Sequence, residues 1–87
     1  MSAAEYQNLT VIARAPFHVY FEGEADVVTA TNKIGEFDIL PGHADFFSML
    51  IPGEVIVRKG DDEPVVFTIR NGIMTVRDNK VMVFVNI

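Results

Sequence analysis

No cysteine occurs among the 87 residues, so no disulfide can staple the chain and no thiolate metal site can form. That composition suits a reducing compartment. Basic residues are scarce as well: Lys and Arg number 7 against 12 Asp and Glu, giving a formal charge of -5. A chain of that sign repels phosphate backbones, which excludes nucleic acid as the natural partner. The cations are scattered from Arg14 to Lys80 and form no run of the kind that reads lipid headgroups. Long apolar runs are missing too. The longest, Val81 to Val85, is far too short to cross a bilayer, and Met1 to Asn8 lacks the apolar stretch of a signal peptide. A soluble, intracellular domain with no direct bilayer insertion is expected.

Groups suited to catalysis are equally sparse. His18 and His43 are the only general bases that titrate near neutral pH, and Ser2 and Ser48 the only serines. No nucleophile elbow, phosphate-binding glycine loop or dinucleotide fingerprint occurs. His18 and Glu22 would share a strand face but lie too far apart along an extended chain to hold one ion. His43 with Asp38 and Asp45 lacks the His and Cys set of structural zinc. The expectation is no catalysis, no cofactor and no metal.

What the chain does have is β pattern. It is 49% hydrophobic and 22% charged, a globular composition for one small domain over residues 1 to 87, with a flexible tail over residues 1 to 7. Leu9, Val11 and Ala13 alternate with Thr10, Ile12 and Arg14; Phe17, Val19 and Phe21 alternate with His18, Tyr20 and Glu22. A period of two sends one set to the core and the other to solvent. Pro16 separates these runs, Gly23 ends the second, and Ala25 to Thr31 forms a third. Further strands are expected over Glu36 to Leu40, Phe46 to Ile51, Glu54 to Lys59, Val65 to Arg70, Ile73 to Arg77 and Lys80 to Asn86. Phe46 to Ile51 is apolar on both faces, and Pro52-Gly53 closes it early enough to favour a strand. Gly60 to Glu63, Asn71-Gly72 and Asp78-Asn79 read as hairpin turns. The predicted fold class is all-β: an antiparallel β-sandwich of about nine to ten short strands.

Within this pattern, Gly35-Glu36-Phe37-Asp38-Ile39-Leu40-Pro41-Gly42-His43-Ala44 resembles the signature of the F-type ATP synthase ε subunit. That signature commonly reads Gly-Glu-(apolar)-Gly-Ile-(Leu or Tyr)-Pro-Gly-His-Ala. Leu9-Thr10-Val11, Phe21-Glu22-Gly23-Glu24-Ala25, Ile51-Pro52-Gly53 and Gly72-Ile73-Met74-Thr75-Val76 are similar to the family's flanking segments, in order, from about Asn8 to Val85. Three positions depart from the usual pattern. Asp38 stands where glycine is common, Asp45 where proline is common, and Arg70-Asn71-Gly72 replaces Ser-Gly-Gly. The family typically continues into a C-terminal helical hairpin that inhibits ATP hydrolysis and in some members binds ATP. This sequence reaches Ile87, where the sandwich is expected to end, so neither property is carried over.

The resemblance implies a non-catalytic central-stalk subunit. It would clamp the foot of the rotating γ subunit and touch the polar loops of the membrane c-ring, peripheral to the cytoplasmic face of the energy-coupling membrane. Ile34, Gly35 and Glu36 are the expected c-ring contacts; for Glu36 an ordinary solvated carboxylate is the competing reading. His43, Ser48, Met82 and Phe84 are the expected γ contacts. His43 could equally hold the turn after Pro41-Gly42, and Met82 and Phe84 could be covered by neighbouring loops. An exposed γ-binding surface would also give weak self-association in isolation. The rival from another class is a free-standing sandwich that binds a peptide or sugar through Phe46, Phe47 or Tyr20.

Overall fold

The structure, a computed structural model, describes residues 8 to 87, and the expected tail over residues 1 to 7 lies outside the described residues. In chain order the strands are β1 (Leu9–Ala15), β2 (His18–Ala25), β3 (Val27–Asn32), β4 (Gly35–Ile39), β5 (Phe46–Leu50), β6 (Gly53–Arg58), β7 (Val65–Ile69), β8 (Gly72–Arg77) and β9 (Lys80–Val85), and among the described residues no helix interrupts them. They form a five-stranded sheet, ordered β2-β1-β9-β8-β5, and a four-stranded sheet, ordered β4-β3-β6-β7. Alternation drives the assembly. Leu9, Val11 and Ala13 of β1 and Val81, Val83 and Val85 of β9 are buried. They face Val28, Ala30, Ile39, Val55 and Val57 of the second sheet, also buried. Each fully buried valine contributes about 1.5–3 kcal/mol relative to its exposed state, and β-branched side chains suit the pleated surface.

The pairings are antiparallel apart from β1 with β9, which run parallel, Val11 opposite Val81 and Ala13 opposite Val83. Periodicity says which face a residue takes but not which strand lies beside it, so this long-range pair was not readable from the pattern.

Other expectations are corrected by the ladder. Phe17, Val19 and Phe21 do not share a core face. Ala13 lies opposite Phe21 but Arg14 opposite Val19, so Tyr20 is the extra residue of a β-bulge. The bulge resets the phase of β2. Tyr20 and Phe21 pack on the core, Val19 turns outward, and Phe17 stands fully exposed at the tip of the β1–β2 turn. Gly23 does not end the strand. It lies inside β2 opposite Val11, and the break comes after Ala25, where the chain changes sheets. There Asp26 donates its N–H to the Arg58 carbonyl (2.8 Å) and its carboxylate accepts the Gly60 N–H (2.6 Å).

Asn71-Gly72 is not a hairpin either, because β7 and β8 lie in different sheets. Gly72 sits in a tight space: a Cβ there would lie 3.1 Å from the Phe84 carbonyl oxygen and 3.1 Å from Val85 Cγ1, so β9 would have to give by a few tenths of an ångström. The other two expected turns are hairpins, Lys59 to Pro64 between β6 and β7 and Asp78-Asn79 between β8 and β9, as are Pro16-Phe17 between β1 and β2 and Lys33-Ile34 between β3 and β4. Asp78 and Asn79 carry the positive φ values, 49° and 64°, that a tight hairpin needs.

Aromatic rings close both open sides of the sandwich. Between β2 and β7, Tyr20 stacks on Phe67 (4.3 Å between centroids) with His18 edge-on (4.5 Å). Between β4 and β5, Phe37 meets Phe46 (5.4 Å), and His43 lies edge-on to Phe46 (5.6 Å). The connections gather at two ends. One end holds Pro16-Phe17, Lys33-Ile34, Ile51-Pro52, Arg70-Asn71 and Asn86-Ile87; the other holds Asp26, Asp78-Asn79 and the loops over residues 40–45 and 59–64.

Candidate functional site

The two outer faces of the sandwich differ in chemistry. On the four-stranded sheet, Glu36, Asp38 and Glu54 point outward among Thr29, Thr31 and Thr68, with one apolar pair, Ile56 and Val66, beside them. Thr29 donates its hydroxyl to Asp38 (2.6 Å) and accepts from the Arg58 guanidinium (3.3 Å), so these three side chains satisfy one another. On the five-stranded sheet the register builds apolar rows instead. Ile12 lies beside Met82, Met82 beside Thr75, and Thr75 beside Phe47. In the next row Phe84 lies beside Ile73, and Ile73 beside Met49. Phe47 is 64% exposed, Met49 71% and Met82 41%. Residues directly opposite across strands lie close enough to form one surface.

Met82 and Phe84, expected as γ contacts, therefore belong to a wider face. Phe47, Met49, Ile73 and Ile12 complete it. Its signal in the sequence was the double-sided apolar run Phe46 to Ile51, and Ile12 at a position where alternation calls for a polar residue. Glu22 and Glu24 border the face along β2, and Arg77 and Lys80 border it at the β8–β9 turn.

The structure does not bring the other expected γ contacts to this face. Ser48 is buried and points opposite to Phe47 and Met49. It accepts from the Asn32 amide (3.1 Å) and donates to the Met49 carbonyl (3.1 Å), tying β5 to the β3–β4 turn. His43 lies in a cleft between β4 and β5, lined also by Ile34, Gly35, Glu36 and Phe46, and so sits with the expected c-ring residues. Its backbone N–H donates to the Leu40 carbonyl (3.0 Å). Its ring Nδ1 lies 2.7 Å from the Ala44 carbonyl, a contact that needs the proton on Nδ1. His43 thus holds the turn after Pro41-Gly42.

Ile34, Gly35 and Glu36 share one corner. The Asn32 side chain accepts from the N–H groups of Ile34 (2.9 Å) and Gly35 (3.3 Å), folding a tight turn that leaves Ile34 96% exposed. Gly35 opens β4 at φ 143°, a conformation that side chains disfavour. A second cleft, lined by Lys33, Ile34, Phe47 and Met49, joins this corner to the apolar face. Among the described residues no group of three or more His, Cys, Asp or Glu could hold a metal ion.

The β-sandwich domain family of ATP synthase delta/epsilon chains matches residues 8–87. The chain belongs to that family. An ATP synthase epsilon chain of Trichlorobacter lovleyi is 38% identical over 94% of this chain and 57% of its own length. One from Xanthomonas campestris pv. campestris is 41% identical over 76% of this chain and 47% of its own. The chain therefore spans about half the length of the curated relatives it matches. Among solved structures, a chain of the Euglena gracilis mitochondrial ATP synthase (OSCP/F1/c-ring, rotational state 1) superposes with a TM-score of 0.82 at 19% identity, over 90% of this chain and 50% of that one. A chain of the Tetrahymena thermophila mitochondrial ATP synthase central stalk and c-ring gives 0.75 at 23% identity, over 91% and 63%. At those identities the likeness shows the fold.

Within this ε-type sandwich, the positions that depart from the usual family residues each make a contact. Asp38 accepts the Thr29 hydroxyl, and Asp45 accepts the Asp78 N–H (3.2 Å). The Asn71 side chain accepts the Ile87 N–H (3.1 Å) while its carbonyl accepts the Asn86 N–H (3.0 Å). Asn86 in turn accepts the Arg70 N–H (2.8 Å), which clasps the β7–β8 crossover to the end of β9.

Proposed function

We propose that the chain serves as a non-catalytic rotor subunit of an F-type ATP synthase, joining the γ subunit to the polar loops of the c-ring. In this reading the apolar face of the five-stranded sheet, with Met82, Phe84, Phe47 and Met49, packs on γ. The corner of Ile34, Gly35 and Glu36 meets the ring, and His43 braces that corner. Ser48 supports the γ face from behind by fixing β5. The complex would lie at the cytoplasmic face of the energy-coupling membrane, held peripherally.

The observation that carries the reading is the cross-strand row Ile12, Met82, Thr75 and Phe47, apolar but for Thr75, on the face of the sheet opposite the core. A close-packed core transmits force without yielding, which is what a coupling element between two rotating parts requires. The similarity to ATP synthase epsilon chains supports this choice of partners. Glu36, at the rim, would govern orientation and encounter rate more than affinity.

The test is capture of the cognate γ subunit by the tagged chain, with and without the c-ring. Stoichiometric capture is expected. Phe84→Asp or Phe47→Asp should weaken it by about 2 kcal/mol or more, as loss of an interface anchor does, while Glu54→Gln on the opposite face leaves it unchanged. Wild-type affinity in both apolar-face variants would sink the assignment of that face. With γ absent, the same surface should give weak concentration-dependent self-association.

A further inference from the structure

Two hairpin tips at one end of the sandwich are built alike. β1 and β2 join through Pro16-Phe17, and β3 and β4 through Lys33-Ile34, each a turn of two residues. Each presents one large apolar side chain to solvent: Phe17 is 102% exposed and Ile34 96%. Turns are ordinarily made by Gly, Pro, Asn, Asp and Ser, so a phenyl or branched aliphatic side chain at the tip contributes nothing to the turn itself. Each tip is also braced. None of Pro16, Phe17, Lys33 and Ile34 has the positive φ that matches a tight turn to the twist of its strands. Side chains hold the chain instead. The Arg14 guanidinium donates to the carbonyls of Ala15 (3.3 Å) and Pro16 (3.3 Å), as the Asn32 side chain accepts from Ile34 and Gly35 in the other turn.

The two hairpins belong to different sheets and stand at opposite sides of the sandwich, since Tyr20 of β2 packs on Phe67 of β7, and Phe37 of β4 on Phe46 of β5. With sheets about 10 Å apart and strands about 4.8 Å apart, the tips are separated by roughly 15 Å. Charge around them is mixed, Lys33, Arg70 and Arg14 against Glu36 and Glu54, and selects no sign of partner.

We infer that Phe17 is a second contact with the c-ring, and that the two tips engage loops of two different ring subunits. This deepens the proposed rotor reading and rests on it, because Ile34 belongs to the corner set against the ring there. Two like prongs need two like receptacles. A ring of identical copies supplies them, since each copy repeats the same surface one step round. Polar loops can receive apolar tips: long polar side chains present aliphatic stems, and an aromatic face also attracts a cation. Each contact alone is a single side chain. Joined on one close-packed body they reinforce each other, because the second forms at high effective concentration once the first is made. Braced turns keep that gain, since little further order is lost on binding.

The chain has no cysteine, so an introduced thiol is the only one it carries. Phe17→Cys, Ile34→Cys and Asp61→Cys chains, each bearing a photoreactive maleimide, are assembled with γ and the intact c-ring and illuminated. Cross-links to the ring subunit are expected from positions 17 and 34, and none from 61 at the far end. The Phe17→Cys, Ile34→Cys double variant should give a product holding two ring subunits. Without any label, Phe17→Ser should weaken capture of the ring about tenfold. It should leave capture of γ and the unfolding midpoint unchanged, because Phe17 is fully exposed and lies off the apolar face. Position 17 silent while 34 reacts, or wild-type ring capture by Phe17→Ser, overturns the inference and leaves the rotor reading standing. A double variant that never joins two ring subunits overturns the engagement of separate copies. A wild-type chain that joins neither γ nor the ring sinks the rotor reading and this inference with it.

Discussion

Asn79 shows how much of this fold hangs on single polar residues. Its side-chain amide donates to the Asn8 carbonyl, its side-chain oxygen accepts the Gly42 N–H (3.0 Å), and its backbone carbonyl accepts the Thr10 N–H (3.1 Å). It does so at φ 64°, where asparagine and glycine are tolerated and other residues are strained. One residue thus joins the β8–β9 turn, the start of β1 and the Pro41-Gly42 turn. Asn79→Ala should cost about 2–3 kcal/mol, from lost bonds and backbone strain together. Asn79→Gly should cost about 1 kcal/mol less, because it keeps the backbone comfortable. The order of urea midpoints, Asn above Gly above Ala, checks this, and equal midpoints for Gly and Ala would remove the strain component. The turn at Asp78-Asn79 was legible because its cause is local. The setting of Gly72 was not: the sequence offers Asn-Gly as a hairpin, whereas in the structure β9 passes close against it and leaves little room for a side chain. No local pattern carries that information.

Among the strands, β9 and β5 show what alternation can and cannot tell. In β9 the apolar set Val81, Val83 and Val85 is buried as the period of two requires. In β5 both sets are apolar, and burial chooses Ser48 and Leu50 over Phe47 and Met49. Alternation could not make that choice, since hydropathy favours the wrong pair. The pairing of β5 with β8 and the Asn32–Ser48 hydrogen bond settle it. β2 fails differently, because one bulged residue shifts the phase and puts Val19 and Phe17 outside. The candidate surface was therefore half legible: Met82 and Phe84 stood out in their own strand, while Phe47, Met49 and Ile73 joined them only once register was known. The same substitution on two strands separates the roles. Met74→Ala, at a fully buried position of β8, should lower stability by about 2–5 kcal/mol. Met49→Ala, at an exposed position of β5, should change stability by less than about 0.5 kcal/mol and yet weaken capture of γ. Chemical denaturation and the capture assay, run on both variants, distinguish the two. Weakened capture by a Met74→Ala chain that stays fully folded would count against this division of labour.

Taken whole, the molecule is a small two-sheet sandwich with two unlike outer faces. Its sheets join parts of the chain that are distant in sequence, as β1 beside β9 shows. The general class, an all-β sandwich, followed from alternation and turn residues, but which strands lie side by side did not. The parallel pair of β1 with β9 matters most here. The first strand of the sandwich and its last lie together inside the five-stranded sheet, with β9 wedged between β1 and β8. A chain cut after Asn79 keeps every other strand but loses the wedge, and should show no dispersed backbone amide spectrum; a well-dispersed spectrum would show that β1 and β8 can do without it. The same topology bears on how the protein is made. As the polypeptide leaves the ribosome, the four-stranded sheet can pair in sequence, while the five-stranded sheet keeps an open slot until the residues of β9 emerge. Until then the valine-lined inner faces have no complete partner, and the nascent chain depends on speed or on a chaperone to keep that slot empty for its own last strand.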